Sequence, residues 1–154
     1  MKLPLAAFKG RLATALGSGD IAWACAWLEA CGYPGLKLLA EALGDDDRDR
    51  PLHRDVLGLD LGNISCVFIG RRLVEDVKRN GRVFLRNVRH GLYILPFAVE
   101  ANLGIGCPVD PAFALGGERH KNPYGENLAL AETNGIEVND GVWHHVLAAA
   151  VERR

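Results

Sequence analysis

The stretch VLGLDLGNISCVFI, Val56–Ile69, decides the fold. Two apolar runs, Val56 to Leu61 and Ile64 to Ile69, flank the pair Gly62-Asn63. Both of those residues tolerate a positive φ, so the pattern predicts two strands joined by a tight hairpin. Downstream, Leu73, Val74 and Val77 fall on one face of Arg71 to Arg79 and predict a short amphipathic helix, ended by Asn80-Gly81. Arg82 to Val88 reads as a strand, with Val83 and Leu85 inward and Arg82 and Arg86 outward, since side chains alternate along a strand. Arg89-His90-Gly91 is read as a turn and Leu92 to Phe97 as a second strand. The order β-β-α-β-β gives an α+β domain with a mixed, mainly antiparallel sheet.

Upstream the period is helical. Leu5, Phe8, Leu12 and Leu16 make one stripe, and Gly17-Ser18-Gly19 breaks it. Asp20 is the expected N-cap of a second helix that runs to about Cys31 and is apolar on two sides, with Ile21, Cys25 and Leu28 on one and Trp23, Trp27 and Ala30 on the other. Gly32 and Pro34 stop it, and residues 35–43 form a third helix with Leu36, Leu39 and Leu43 inward. The first 44 residues thus read as a helical layer packed on the sheet. Residues 45–55 hold five aspartates against three arginines and are expected to be a solvated acidic loop. Residues 104–117, GIGCPVDPAFALGG, are expected to be a long, ordered, irregular loop closing one end of the domain. A helix over 125–134, a short strand over 136–138 and a last helix capped by Asn139 or Asp140, with Val142, Val146 and Ala149 on one stripe, complete the chain.

Length and composition fit a single globular domain. The 154 residues are 49% apolar and 24% charged, and a chain of this size buries about 68–70% of its unfolded surface without needing a disulfide or a metal. Eighteen basic and nineteen acidic side chains leave a formal net charge of −1, which argues against a general nucleic-acid binder. The basic side chains nevertheless gather in residues 71–89, where Arg71, Arg72, Lys78, Arg79, Arg82, Arg86 and Arg89 face only Glu75 and Asp76. None of Cys25, Cys31, Cys66 and Cys107 forms a C-x-x-C pair, and all four are read as reduced thiols. Neither a signal peptide nor a membrane span is legible, so the expected location is the cytoplasm.

Candidate chemistry centres on two segments. Cys107 lies in the tight Gly106-Cys107-Pro108 turn with Asp110 beside it, where a thiol could be exposed and backbone amides could receive an oxyanion. His90, beside Arg86 and Arg89, is the candidate base. Arg86, Arg89, His120 and Asn122 are the candidate ligand-binding residues, guanidinium groups being suited to grip a carboxylate or phosphate. Each also has a bland reading: a packed cysteine, a turn histidine, a solvated charged face. Cys107, His90, His120 and Asp110 are metal-ligand types without ligand spacing, so no metal is assigned. Gly104-x-Gly106 lacks the third glycine of a dinucleotide fingerprint, and no phosphate-binding loop of the G-x-x-x-x-G-K type exists, so no cofactor is named.

The runs Cys25-Ala26-Trp27-Leu28-Glu29-Ala30-Cys31-Gly32-Tyr33-Pro34-Gly35, Leu59-Asp60-Leu61 to Val67-Phe68, Asn87-Val88-Arg89-His90-Gly91 and Gly106-Cys107-Pro108-Val109-Asp110 to Lys121-Asn122-Pro123-Tyr124 together resemble a bacterial domain family of unknown function. The resemblance implies a bacterial, cytosolic and metabolic protein, carries over no catalytic residue, and implies a C-terminal segment beyond Arg154. Two functions follow from the residues. The first is a small-molecule enzyme or binding protein, its anionic ligand held between 82–90 and 104–117. The second is a non-catalytic subunit that assembles with itself or a protein partner through the apolar helix 20–31.

Overall fold

The computed structural model describes residues 1–45, 50–106, 112–119 and 122–153. In chain order the elements are β1 (Lys2–Leu3), α1 (Leu5–Leu16), α2 (Gly19–Ala30), α3 (Gly35–Leu43), β2 (His53–Asp55), β3 (Gly58–Asp60), α4 (Cys66–Asn80), β4 (Val83–Arg86), a 3-10 turn (Gly91–Ile94), α5 (Leu95–Glu100), β5 (Leu103–Ile105), β6 (Ala112–Glu118), α6 (Gly125–Asn134), β7 (Ile136–Glu137) and α7 (Asp140–Arg153). The class is α+β. The chain groups into two compact units, Met1–Asp45 with Pro123–Arg154, and Asp46–Asn122.

The first unit is helical, closed by the antiparallel pair β1–β7. Leu5, Phe8, Leu12 and Ala15 form the buried stripe of α1, which ends at Gly17 in the left-handed region. Ser18, rather than Asp20, caps α2: its Oγ accepts from the Ile21 amide at 3.4 Å, and Asp20 sits inside the first turn. The all-round apolar character of α2 is resolved within the unit, because α1, α3 and α6 pack around it. Trp27 is buried and its ring meets Tyr124 at 4.8 Å. On α7, Asn139 provides the cap, accepting from the Val142 amide at 3.0 Å. The buried stripe of α7 is Trp143, Val146 and Ala150, displaced from the expected Val142, Val146 and Ala149 because Trp143 stacks on Phe8 at 4.9 Å and takes the inward position.

The second unit is a five-stranded sheet in the order β2-β3-β4-β6-β5. Only β3–β4 is parallel, so the sheet is mixed and mainly antiparallel. Parallel neighbours need a crossover, and α4 supplies it. This corrects the reading of 56–69. Gly62 and Asn63 do adopt positive φ, 57° and 64°, but a helix follows them rather than a second strand. The hairpin lies earlier, with Val56-Leu57 at its tip and Asp55 paired to Gly58. The apolar run from Ile64 is helical because Ser65 caps it, and Cys66, Ile69, Leu73 and Val77 then fall on one buried face. Leu92 to Phe97 is likewise not a strand but the 3-10 turn and the start of α5. Pro96 sits at the first turn of α5, where its missing N–H costs nothing, whereas a strand would have needed that donor. The predicted irregular loop 104–117 contains most of β5 and most of β6, and β2 emerges from the end of the predicted acidic loop.

Gly58 carries a close approach that no side chain tolerates. Its φ is 132°, and a Cβ there would lie 2.0 Å from the Phe84 carbonyl oxygen. Gly10, inside α1, has nothing within 4 Å of the same position. Gly58→Ala is therefore expected to destabilise the chain by about 2–3 kcal/mol or more. Gly10→Ala should stabilise it by roughly 0.5–1 kcal/mol. Denaturant unfolding of the two variants checks both signs.

Candidate functional site

The two parallel strands β3 and β4 end side by side, with Asp60 opposite Arg86. Their following loops stay zipped together. Leu61 N donates to Arg86 O at 2.9 Å, Asn63 N to Asn87 O at 3.0 Å and Cys66 N to Arg89 O at 2.9 Å. The crevice beyond the carboxyl ends of parallel strands is where open α/β sheets place ligands. Asp60, Asn63, Ser65, Arg86, Asn87, Arg89 and His90 collect at this same edge.

At its centre Ser65 and His90 meet. Ser65 Oγ lies 2.7 Å from His90 Nδ1, and the two residues are 2% and 6% exposed, the only buried polar or charged residues among those described. Ser65 Oγ also accepts from the Val67 amide at 3.2 Å as the cap of α4. With the Ser65 oxygen accepting from Val67, its proton is available to the imidazole. His90 holds this position from a left-handed backbone, φ 58° and ψ 44°. Asn63 and Asn87 in the same two loops have φ of 64° and 53°, and Asn102 is the one other non-glycine residue of this kind among those described. Asparagine visits this region readily, while histidine there is strained by about 1–3 kcal/mol, and strain of this kind gathers at functional sites.

Carboxylates frame the pair. Asp60 Oδ1 accepts from Asn87 Nδ2 and from the Gly62 amide, both at 2.8 Å, and these bonds hold its carboxyl below the usual range, the Asn87 contact most strongly. Asp55 is lowered first by the Leu57 amide at 2.9 Å and then by Arg86, whose Nη2 donates to it at 2.5 Å. Arg86 Nε is buried without a partner. Of the residues expected to bind ligand, Arg86 is thus engaged by the chain's own Asp55. Arg89 is half-buried next to His90, and Asn122 is exposed. Cys107, Asp110 and His120 lie outside the described residues. The structure therefore gathers Arg86, Arg89 and His90 at one edge and adds Ser65, Asp60, Asn63 and Asn87, which the sequence reading passed over. The signal was present in Ser65, a helix-capping residue followed by apolar residues at helical spacing.

The backbone amides that open α4 are all occupied: Cys66 N by Arg89 O, Val67 N by Ser65 Oγ and Phe68 N by Ser65 O at 3.2 Å. Ser65 thus serves both as the cap of α4 and as the partner of His90. Among the described residues no group of three or more His, Cys, Asp or Glu could hold a metal ion, and no helix is long and apolar enough to cross a membrane. Cys25, Cys31 and Cys66 are free thiols, and burial pushes Cys31 up to about 11, away from the reactive thiolate range. No protein family model, curated protein or solved structure matches the chain.

Two outcomes follow. Ser65→Ala removes the cap of α4 and leaves His90 Nδ1 buried without its donor, so it should cost about 2–3 kcal/mol in denaturant unfolding. The second concerns acid. The Asp60 carboxyl is lower in the folded chain than in the unfolded one, so its contribution is present above about pH 4 and is lost as pH falls through the lowered folded value. Asp60→Ala should be less stable than wild type at pH 7, and the difference should shrink in urea titrations carried down to pH 2. A difference that is constant with pH would show that the carboxylate charge is not what binds the two loops.

Proposed function

We propose that the chain is a small-molecule protein, an enzyme or a binding protein, whose carboxylate or phosphate ligand is taken at the carboxyl ends of β3 and β4. The observation that carries the reading is the buried Ser65–His90 pair, held on left-handed backbone where the two parallel strands end. In this reading Ser65 donates to Nδ1 and orients the imidazole, whose Nε2 carries the proton. Arg89, next to His90 in the loop that leaves β4, adds positive charge, while Arg86 at the end of β4 is engaged by Asp55. In the catalytic form of this proposal His90 works with Cys107 and Asp110 of the glycine-rich segment, and His120 and Asn122 complete the ligand contacts. A bacterial, cytosolic setting is part of the same proposal.

Assembly through α2 is the weaker reading. Its motive was an apolar helix in need of cover, and α1, α3 and α6 provide that cover within the chain.

Thermal unfolding with millimolar citrate, pyrophosphate and a set of phosphate monoesters and 2-oxo acids tests the proposal. A ligand present at 100 times its Kd stabilises by about 2.7 kcal/mol, a rise of several degrees for a chain of this size. For pyrophosphate, which has no apolar body, Arg89→Gln and His90→Asn should each abolish that rise. If no anion raises Tm, or if both variants respond as wild type does, the ligand is not at this edge.

A further inference from the structure

The basic segment 71–89 is not exhausted by the edge at His90. Toward the other end of α4, a separate groove of about 340 Å³ runs between that helix and the outer strands β2 and β3. Its floor includes Leu59 and Leu73, both buried. Its rim carries Arg54, Arg72, Arg79 and one carboxylate, Asp76.

Among the described residues the charges do not cancel. Asp76 stands four residues after Arg72 and three before Arg79, the spacings at which a helical carboxylate pairs with its own helix. It pairs with neither. Its Oδ2 is taken by Arg54 Nη2 from β2, and its Oδ1 accepts from Asn80 Nδ2 at 3.0 Å. The other acidic residue of this helix, Glu75, is bonded to Lys78 at 3.4 Å. Of the three guanidinium groups only Arg54 pairs with this carboxylate, and the exposed Arg72 and Arg79 rim an apolar floor with the surplus charge. A volume of 340 Å³ sits at the small end of ligand clefts, which run from about 300 to 1,000 Å³.

We infer that this groove is a second binding site, distinct from the edge at His90, for a small organic anion: a carboxylate or phosphate on an aromatic ring or short alkyl body. The oxyanion is gripped by Arg72 and Arg79, whose planar forks donate in pairs, and the body lies on Leu59 and Leu73. Arg54 lines the wall and keeps Asp76 from neutralising the other two.

Phenyl phosphate is the probe, titrated into the full chain and followed by amide chemical shifts, with phenol and inorganic phosphate as the two halves of the ligand. The expected result is saturable binding that weakens with added salt, shifts concentrated in residues 52–59 and 72–79, and each half binding at least tenfold more weakly. The double variant Arg72→Gln/Arg79→Gln alters only exposed side chains, so its Tm should match wild type while its affinity for phenyl phosphate falls at least tenfold. Arg89→Gln should bind phenyl phosphate in this groove as wild type does, which separates this site from the one proposed above. Shifts confined to residues 86–91, unchanged affinity in the double variant, phenol binding as tightly as phenyl phosphate, or no binding at millimolar concentration would each overturn the inference.

Discussion

Three backbone bonds between the loops that leave β3 and β4, gathered around the hydrogen bond between Ser65 and His90, set the geometry of the second unit. A parallel strand pair cannot be closed by a hairpin, so its two exits must each turn away and be satisfied by something else. Here they satisfy one another. Leu61, Asn63 and Cys66 give their amides to the opposite loop, and Asn63, Asn87 and His90 accept left-handed backbone to make the match. The start of α4 and the start of the 3-10 turn are both fixed by this arrangement, since Ser65 caps one and His90 precedes the other.

That constraint also explains where polar side chains are allowed inside. A buried hydroxyl or imidazole is costly unless its partner is provided, and Ser65 and His90 provide each other's. The surrounding carboxylates are not buried, but each is tied by an amide and by a neighbouring side chain, Asp60 by Asn87 and Asp55 by Arg86. The edge is therefore held by the chain's own contacts. Arg86 is part of this frame, its guanidinium given to Asp55.

The helical unit was largely legible, and the sheet was not. In α1, α2 and α3 the apolar residues recur at three and four, and glycine marks the ends, so Leu5, Phe8, Leu12, Leu36 and Leu39 lie inside as their spacing requires. Its errors are small: Ser18 for Asp20 as cap, and a stripe on α7 turned toward Trp143. In the second unit the runs 64–69 and 92–97 are apolar at nearly every position, and a continuous apolar run has no period to distinguish a buried strand from a buried helix. The deciding features were single residues, Ser65 as a cap and Pro96 as a helix-start residue. Of the candidate site, His90, Arg86 and Arg89 were found because they adjoin in the chain. Ser65 was missed because its partner lies 25 residues away.

By itself the sequence determined the α+β class, the helical ends of the chain, the positive φ of Gly62 and Asn63 and the outward face of β4, because each of these depends on spacing or on the local freedom of one residue. Only the tertiary structure decided that β3 and β4 run parallel, that Ser65 meets His90, and that Asp76 is taken by Arg54 rather than by its own helix. Those outcomes turn on contacts between residues distant in the chain, where several partners of the right chemistry compete and packing selects one.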